Sequence, residues 1–168
     1  MKIDMHCHVK EGSIDSKVSL DEYITILKSK GFQGMVVTDH NTYKGYRYWK
    51  HHMKGKIHTD FIVLKGMVIM PEGIKMRLLE MRGMPVSVLI DLVHRNGGIL
   101  GPAHPCGEKY LSITNTKRFY TNPEVMKRFD FVEVFNSCES AASNAGARKL
   151  AEKYGKVMVG GSDSHKPG

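Results

Sequence analysis

Short apolar runs alternate with stretches of helical periodicity along most of the chain. Lys2 to Val9 reads as the first strand. A polar loop then leads to Ser19-Leu20-Asp21-Glu22, in which the serine hydroxyl and the glutamate carboxylate can each satisfy an early backbone donor of a helix. Tyr23, Ile26, Leu27 and Lys30 follow at helical spacing, and Gly31 stops the helix. Gly34-Met35-Val36-Val37-Thr38 predicts a second strand, residues 43–53 a basic, aromatic helix, and Phe61-Ile62-Val63-Leu64 a third strand.

Pro85 suits the first turn of the next helix, which turns Val86, Leu89, Ile90 and Val93 to one face before Asn96-Gly97-Gly98 ends it. Ile99-Leu100-Gly101-Pro102-Ala103 reads as a strand, Pro123 to Arg128 as a short helix, and Phe131-Val132-Glu133-Val134-Phe135 as another strand. Ala141 to Tyr154 is an alanine-rich helix closed by Gly155, and Val157-Met158-Val159-Gly160 is the last strand. Repeated strand–helix units with short connections call for an α/β fold with a parallel sheet, open or closed. There is no linker, low-complexity tract or internal repeat, and 168 residues suit a single domain.

Charge changes the picture more than bulk composition does. Lys and Arg number 25 against 17 Asp and Glu, a net charge of +8, which favours anionic partners from small phosphates to nucleic acids without choosing between them. No apolar run approaches the roughly 18 residues of a membrane helix. The opening Met1-Lys2-Ile3-Asp4-Met5-His6-Cys7-His8 is too polar for a secretory signal. Cys7, Cys106 and Cys138 are odd in number and lack Cys-x-x-Cys spacing, so structural disulfides are not expected and a reducing cytoplasm fits.

The candidate chemistry collects at strand ends. His6-x-His8 closes the first strand, Asp39-His40 the second, His104 the strand before Pro105, and Asp163-x-His165 follows the last. Residues two apart on a strand share a face, so His6 and His8 point together while Cys7 points away, and Asp163 and His165 do the same if the strand continues that far. In parallel α/β architectures the carboxyl ends of strands meet on one rim, where active sites are built. One His-x-His alone is weak evidence, but four histidine-bearing groups, each at a strand end, predict a metal site. His51, His52, His58 and His94 have no such placement and read as surface or structural residues.

This set of motifs resembles the PHP (polymerase and histidinol phosphatase) superfamily. The resemblance rests on His6-Cys7-His8, Thr38-Asp39-His40-Asn41-Thr42, Pro102-Ala103-His104-Pro105 and Gly161-Ser162-Asp163-Ser164-His165, whose order and spacing span nearly the whole chain. It implies a distorted (β/α)7 barrel with two or three manganese, zinc or iron ions at the carboxyl-terminal rim, and hydrolysis of a phosphate ester by a metal-bound hydroxide. Carried over by position, His6, His8 and Asp163 belong to one metal site. His40, His165 and an aspartate of the loop after the first strand belong to another, with Asp15 preferred and the nearer Glu11 as the alternative. His104 resembles a ligand of the remaining site, Asp163 and His165 are the residues carried over as catalytic, and Glu133 is either a supporting or a structural residue. Lys166 is a candidate contact for substrate phosphate, with Arg47 and Lys109 weaker ones of the same kind.

One departure from the family pattern stands out. The family usually carries Gly-x-Glu after the third strand and a further histidine about ten residues on, whereas this chain reads Leu64-Lys65-Gly66-Met67-Val68-Ile69-Met70-Pro71-Glu72. Either a bridging glutamate is lost or residues are missing between Met67 and Val68, and the intact flanking motifs favour the gap. The chain also stops just after its last motif, where relatives continue. The expected partner is a small phosphorylated substrate. A nuclease acting on short nucleic acids, or a metal-binding module without turnover, are the competing readings, and the sequence sets no oligomeric state.

Overall fold

The computed structural model describes residues 1–69, 85–108 and 112–167. The chain divides into two compact units, Met1–Met70 with Gly161–Gly168 and Pro71–Gly160.

In the first unit, β1 (Ile3–Cys7), β2 (Gly34–Val37) and β3 (Ile62–Lys65) form a parallel sheet in that order. β2 and β3 pair in register from Gly34 with Ile62 to Val37 with Lys65, while the β1–β2 register shifts between Asp4 and Cys7. Helix α1 (Leu20–Ser29) makes the crossover from β1 to β2. Its amino end is capped as the sequence predicts, with Ser19 Oγ accepting from Glu22 N at 3.3 Å. Leu20, Tyr23, Ile24 and Leu27 form its buried face and pack in one core with Val9, Val37, Trp49 and Phe61. Full burial of each such side chain stabilises by about 1.5–3 kcal/mol. The aromatic stretch after β2 is helical, but it divides into α2 (Lys44–Tyr48) and a π-helical turn, Trp49–Met53.

The line of β3 runs on past its end. Gly66 N donates to Val37 O at 3.0 Å, Val68 N to Thr38 O at 3.3 Å, and Asn41 N to Val68 O at 2.9 Å. On the edge of β1 that β2 leaves open lies the returning carboxyl-terminal segment. There Cys7 bridges Ser164 in parallel and Asp163 N donates to His6 O at 2.8 Å.

In the second unit, α3 (Val86–Arg95) precedes two 3-10 turns, Ile113–Asn115 and Pro123–Arg128, with α4 (Lys117–Thr121) between them. β4 (Phe131–Asn136), α5 (Ala141–Tyr154) and β5 (Val157–Gly161) follow, and β4 and β5 pair as a two-stranded sheet. Ser140 caps α5 and Gly155, at φ 61°, ends it in the left-handed conformation that costs glycine least. The core of this unit gathers Ile90, Met126, Phe129, Val132, Val134 and Ala151.

The expected seven-stranded barrel is not what the chain forms. Among the described residues there are sheets of three and two strands, too few to curl back and close on themselves. Residues 99–103, expected as a strand, lie beside β4 without becoming one: Leu100 O and Pro102 O accept from Asp130 N and Glu133 N. Leu100 N is taken by the Asp130 carboxylate at 2.8 Å and Pro102 has no N–H, so the segment lacks the donors of a ladder. Glu72 and Lys109 lie outside the described residues.

Candidate metal centre

Six of the seven expected ligands belong to the first unit, and they meet there. His6 and His8, two apart at the end of β1, bring their Nε2 atoms to 3.1 Å from each other. Asp163 Oδ1 lies 3.3 Å from the first and 3.2 Å from the second. All three side chains are buried. A second group sits beside them, with Asp15 Oδ2 at 3.2 Å from His40 Nε2 and 3.5 Å from His165 Nε2. The His8 ring stacks on both His40 and His165, with centroids 4.2 Å away in each case. Ligand atoms of His6, His8 and Asp163 lie within 4.8 Å of one another, as do those of His8, His40 and His165.

Asp15, rather than Glu11, reaches these histidines. Glu11 Oε2 instead accepts from Leu20 N at 3.1 Å, at the start of α1. Asp163 and His165 do not share a strand face, because β5 ends at Gly161 and Asp163 adopts φ 52°. That turn sends Asp163 to the His6–His8 group and His165 to the Asp15 group. Left-handed φ in a residue other than glycine is uncommon, and here it occurs at Asp163 of the cluster and at Asn41, next to His40, as well as at His58 and His104.

Burial decides the protonation of the rings. It pulls His8 down to about 4, against the opposing hydrogen bond of the ring to Asp163, and the neighbouring His40, His6 and His165 lower it further. Burial also lowers His40, with the Asp15 charge opposing. These two rings are therefore neutral near pH 7. His165 Nδ1 donates to the Asp163 carbonyl at 2.9 Å, and its Nε2 faces Asp15. The buried Nδ1 of His40 has no hydrogen-bond partner among the described residues.

Imidazole nitrogens and carboxylate oxygens thus converge in a small space. A cation answers that arrangement: with metal–nitrogen and metal–oxygen bonds of about 2.0–2.2 Å, two ligand atoms on one ion stand roughly 3–3.5 Å apart. The distances in both groups fall at that spacing. Imidazole and carboxylate together suit zinc, manganese or iron.

Asp39, which the sequence places beside His40 at a strand end, proves to be a supporting residue, as does Asp4, which the sequence reading passed over. Asp39 is fully buried and accepts from Val9 N at 3.0 Å, Ser13 Oγ at 3.0 Å and Gly45 N at 3.1 Å. Burial holds its carboxyl above the ordinary range, and those donors pull the other way. Ser13 Oγ also accepts from His40 N at 3.3 Å. Asp4 lies under His6 in β1. A carboxylate inside an apolar strand was the one available signal for it, since such residues are almost never buried without partners.

His104 belongs to the second unit, at φ 30°, where its N–H donates to Glu133 Oε2 at 2.6 Å and its carbonyl accepts from Ser112 Oγ. Glu133 also accepts from Asn136 Nδ2 at 3.2 Å, so it braces this loop. Lys166 and Arg47 are exposed, as are His51 and His52. His58 pairs with Asp21 at 2.7 Å and His94 with Asp130 at 2.9 Å.

Among curated proteins, none matches this chain. Residues 141–168 match a family model described as PHP-associated, and the match takes in α5, β5 and the return that carries Asp163 and His165. The carboxyl-terminal part of the chain is therefore similar to a region associated with PHP domains.

Proposed function

We propose that this protein is a metal-dependent phosphoesterase of the PHP type, holding two or three divalent ions of manganese, zinc or iron. The observation that carries the reading is the convergence of His6, His8 and Asp163 beside His40, His165 and Asp15, at spacings that suit ligand atoms sharing ions. Such ions, when bound, supply Lewis acidity toward phosphate oxygens and a water acidic enough to ionise near neutral pH.

The chain's own residues define the rest. Neutral His8 and His40 offer lone pairs rather than protons at pH 7. Asp163 and Asp15 supply negative charge, one buried and one exposed, so the exposed Asp15 side marks where a phosphorylated small molecule enters. His104 stays a proposed ligand of a remaining site, and Lys166, on the exposed turn after His165, a proposed phosphate contact. Cys7, Cys106 and Cys138 form no disulfide, which supports a cytoplasmic setting. Among the described residues, no helix is long and apolar enough to cross a membrane.

The alternative of a metal-binding module without turnover draws on Val68, which stands in the line of β3 where Gly-x-Glu counted from Gly66 would put the family's glutamate, and which offers no carboxylate. The net charge of +8 suits small phosphates and nucleic acids alike, and a nuclease should lose substrate steeply as salt rises. Metal analysis after reconstitution, joined to hydrolysis of p-nitrophenyl phosphate with manganese, tests the main reading. Two or more ions per chain and turnover are expected, with turnover abolished when His6→Ala and His8→Ala are combined. Fewer than one ion per chain defeats it.

A further inference from the structure

We infer that Asp4, Tyr23 and Ser162 form a positioning device that sets His6 and Asp163 at ligand spacing. The inference rests on the metal-binding reading above and assigns roles to three residues outside the ligand set. His6 and Asp163 are far apart in sequence, and the side chains that grip the backbone around them belong to this trio.

Asp4 is buried and serves both segments with one oxygen: its Oδ1 accepts from His6 N at 3.1 Å and from Ser162 N at 3.0 Å. Its other oxygen accepts from the Tyr23 hydroxyl at 3.2 Å. That hydroxyl also meets Ser162 Oγ at 2.5 Å, and Ser162 Oγ in turn reaches the His6 carbonyl and accepts from Ser164 N. The His6 peptide is thus held at both ends, its N–H by Asp4 and its carbonyl by Asp163 N, with Ser162 Oγ 3.3 Å from that carbonyl.

A carboxylate here replaces ordinary sheet pairing. The β1–β2 register is irregular between Asp4 and Cys7, and the return segment has left strand geometry by Asp163. Backbone pairing alone leaves the spacing of His6 and Asp163 loosely set, and the buried acid removes that freedom. Tyr23 contributes from α1, its ring in the core of the first unit and its hydroxyl at the seam. None of these contacts reaches Asp15, His40 or His165 directly. Outer-shell partners of this kind typically alter metal affinity 10–100-fold.

The test is cobalt(II) titration of the metal-free full chain, read by visible absorption and calorimetry, for wild type, Tyr23→Phe, Asp4→Asn and Ser162→Ala. Tyr23→Phe keeps the buried ring and deletes only the hydroxyl, so it remains informative if Asp4→Asn fails to fold. We expect one class of cobalt site to weaken by about 10-fold or more in Tyr23→Phe, with the other class unchanged. Ser162→Ala should act in the same direction. Wild-type protein that takes up no cobalt overturns this inference together with the metal reading. Wild type with two classes and a Tyr23→Phe variant unchanged in both overturns the inference alone. Equal weakening of both classes, in step with a lowered melting temperature, also overturns it, because that is a general loss of stability.

Discussion

Removing the Asp39 carboxylate should unfold the unit that carries the histidine cluster. This acid is fully buried and takes up three donors, two of them backbone N–H groups that have no water to turn to. Asp39→Ala strands those of Val9 and Gly45, and each orphaned buried donor costs about 1–3 kcal/mol. With the Ser13 hydroxyl added, the loss is about 3–9 kcal/mol, comparable to the ~5–15 kcal/mol that holds a domain folded. Asp39→Asn is gentler. Its carbonyl oxygen can serve Val9 and Ser13, but its amide then faces the Gly45 N–H, donor against donor, for a loss of about 2 kcal/mol. At an m-value of about 2 kcal/mol/M, the asparagine variant should unfold at roughly 1 M less urea. Trp49 is the sole tryptophan and is buried in the core of this unit, so its fluorescence reports the relevant transition. An alanine variant with an unchanged midpoint would refute the reasoning.

Acid should destabilise the metal-free protein. The imidazole of His8 titrates near 6.5 when unfolded and at about 4 when buried, so between those values the unfolded chain binds a proton that the folded chain refuses. The associated stability is intact above pH 6.5, declines as the pH falls toward 4, and amounts to about 3 kcal/mol. His40, lowered in the same direction, adds to the trend. Urea midpoints followed by Trp49 fluorescence should fall through this window, and a flat profile contradicts the argument. Thiol labelling offers an independent check. Cys138 is exposed and should react with a disulfide reagent in the native state. The Cys7 thiol, raised by burial and then by the charges of Asp4 and Asp39, should react only on unfolding. Mass spectrometry that finds Cys7 labelled as fast as Cys138 counts against the described core.

Local signals in the sequence determined a good deal. The Ser19 cap, the span of α5 from Ala141 to its Gly155 stop, and the positions of the five strands among the described residues follow from hydrogen-bonding capacity and apolar periodicity within a few residues. So does the placement of His6, His8 and His40 at strand ends. Tertiary structure decided what those signals cannot carry. Whether strands close into a barrel depends on which edges find partners, and residues 99–103 read as apolar and extended yet lack the donors to join a ladder. Which carboxylate meets which imidazole depends on backbone turns such as that at Asp163, which separates Asp163 from His165. Asp4 and Asp39 show the limit most clearly. A charged residue earns a buried place only through donors supplied by distant segments, Ser162 for one and Gly45 for the other, and that pairing exists only once the chain has folded.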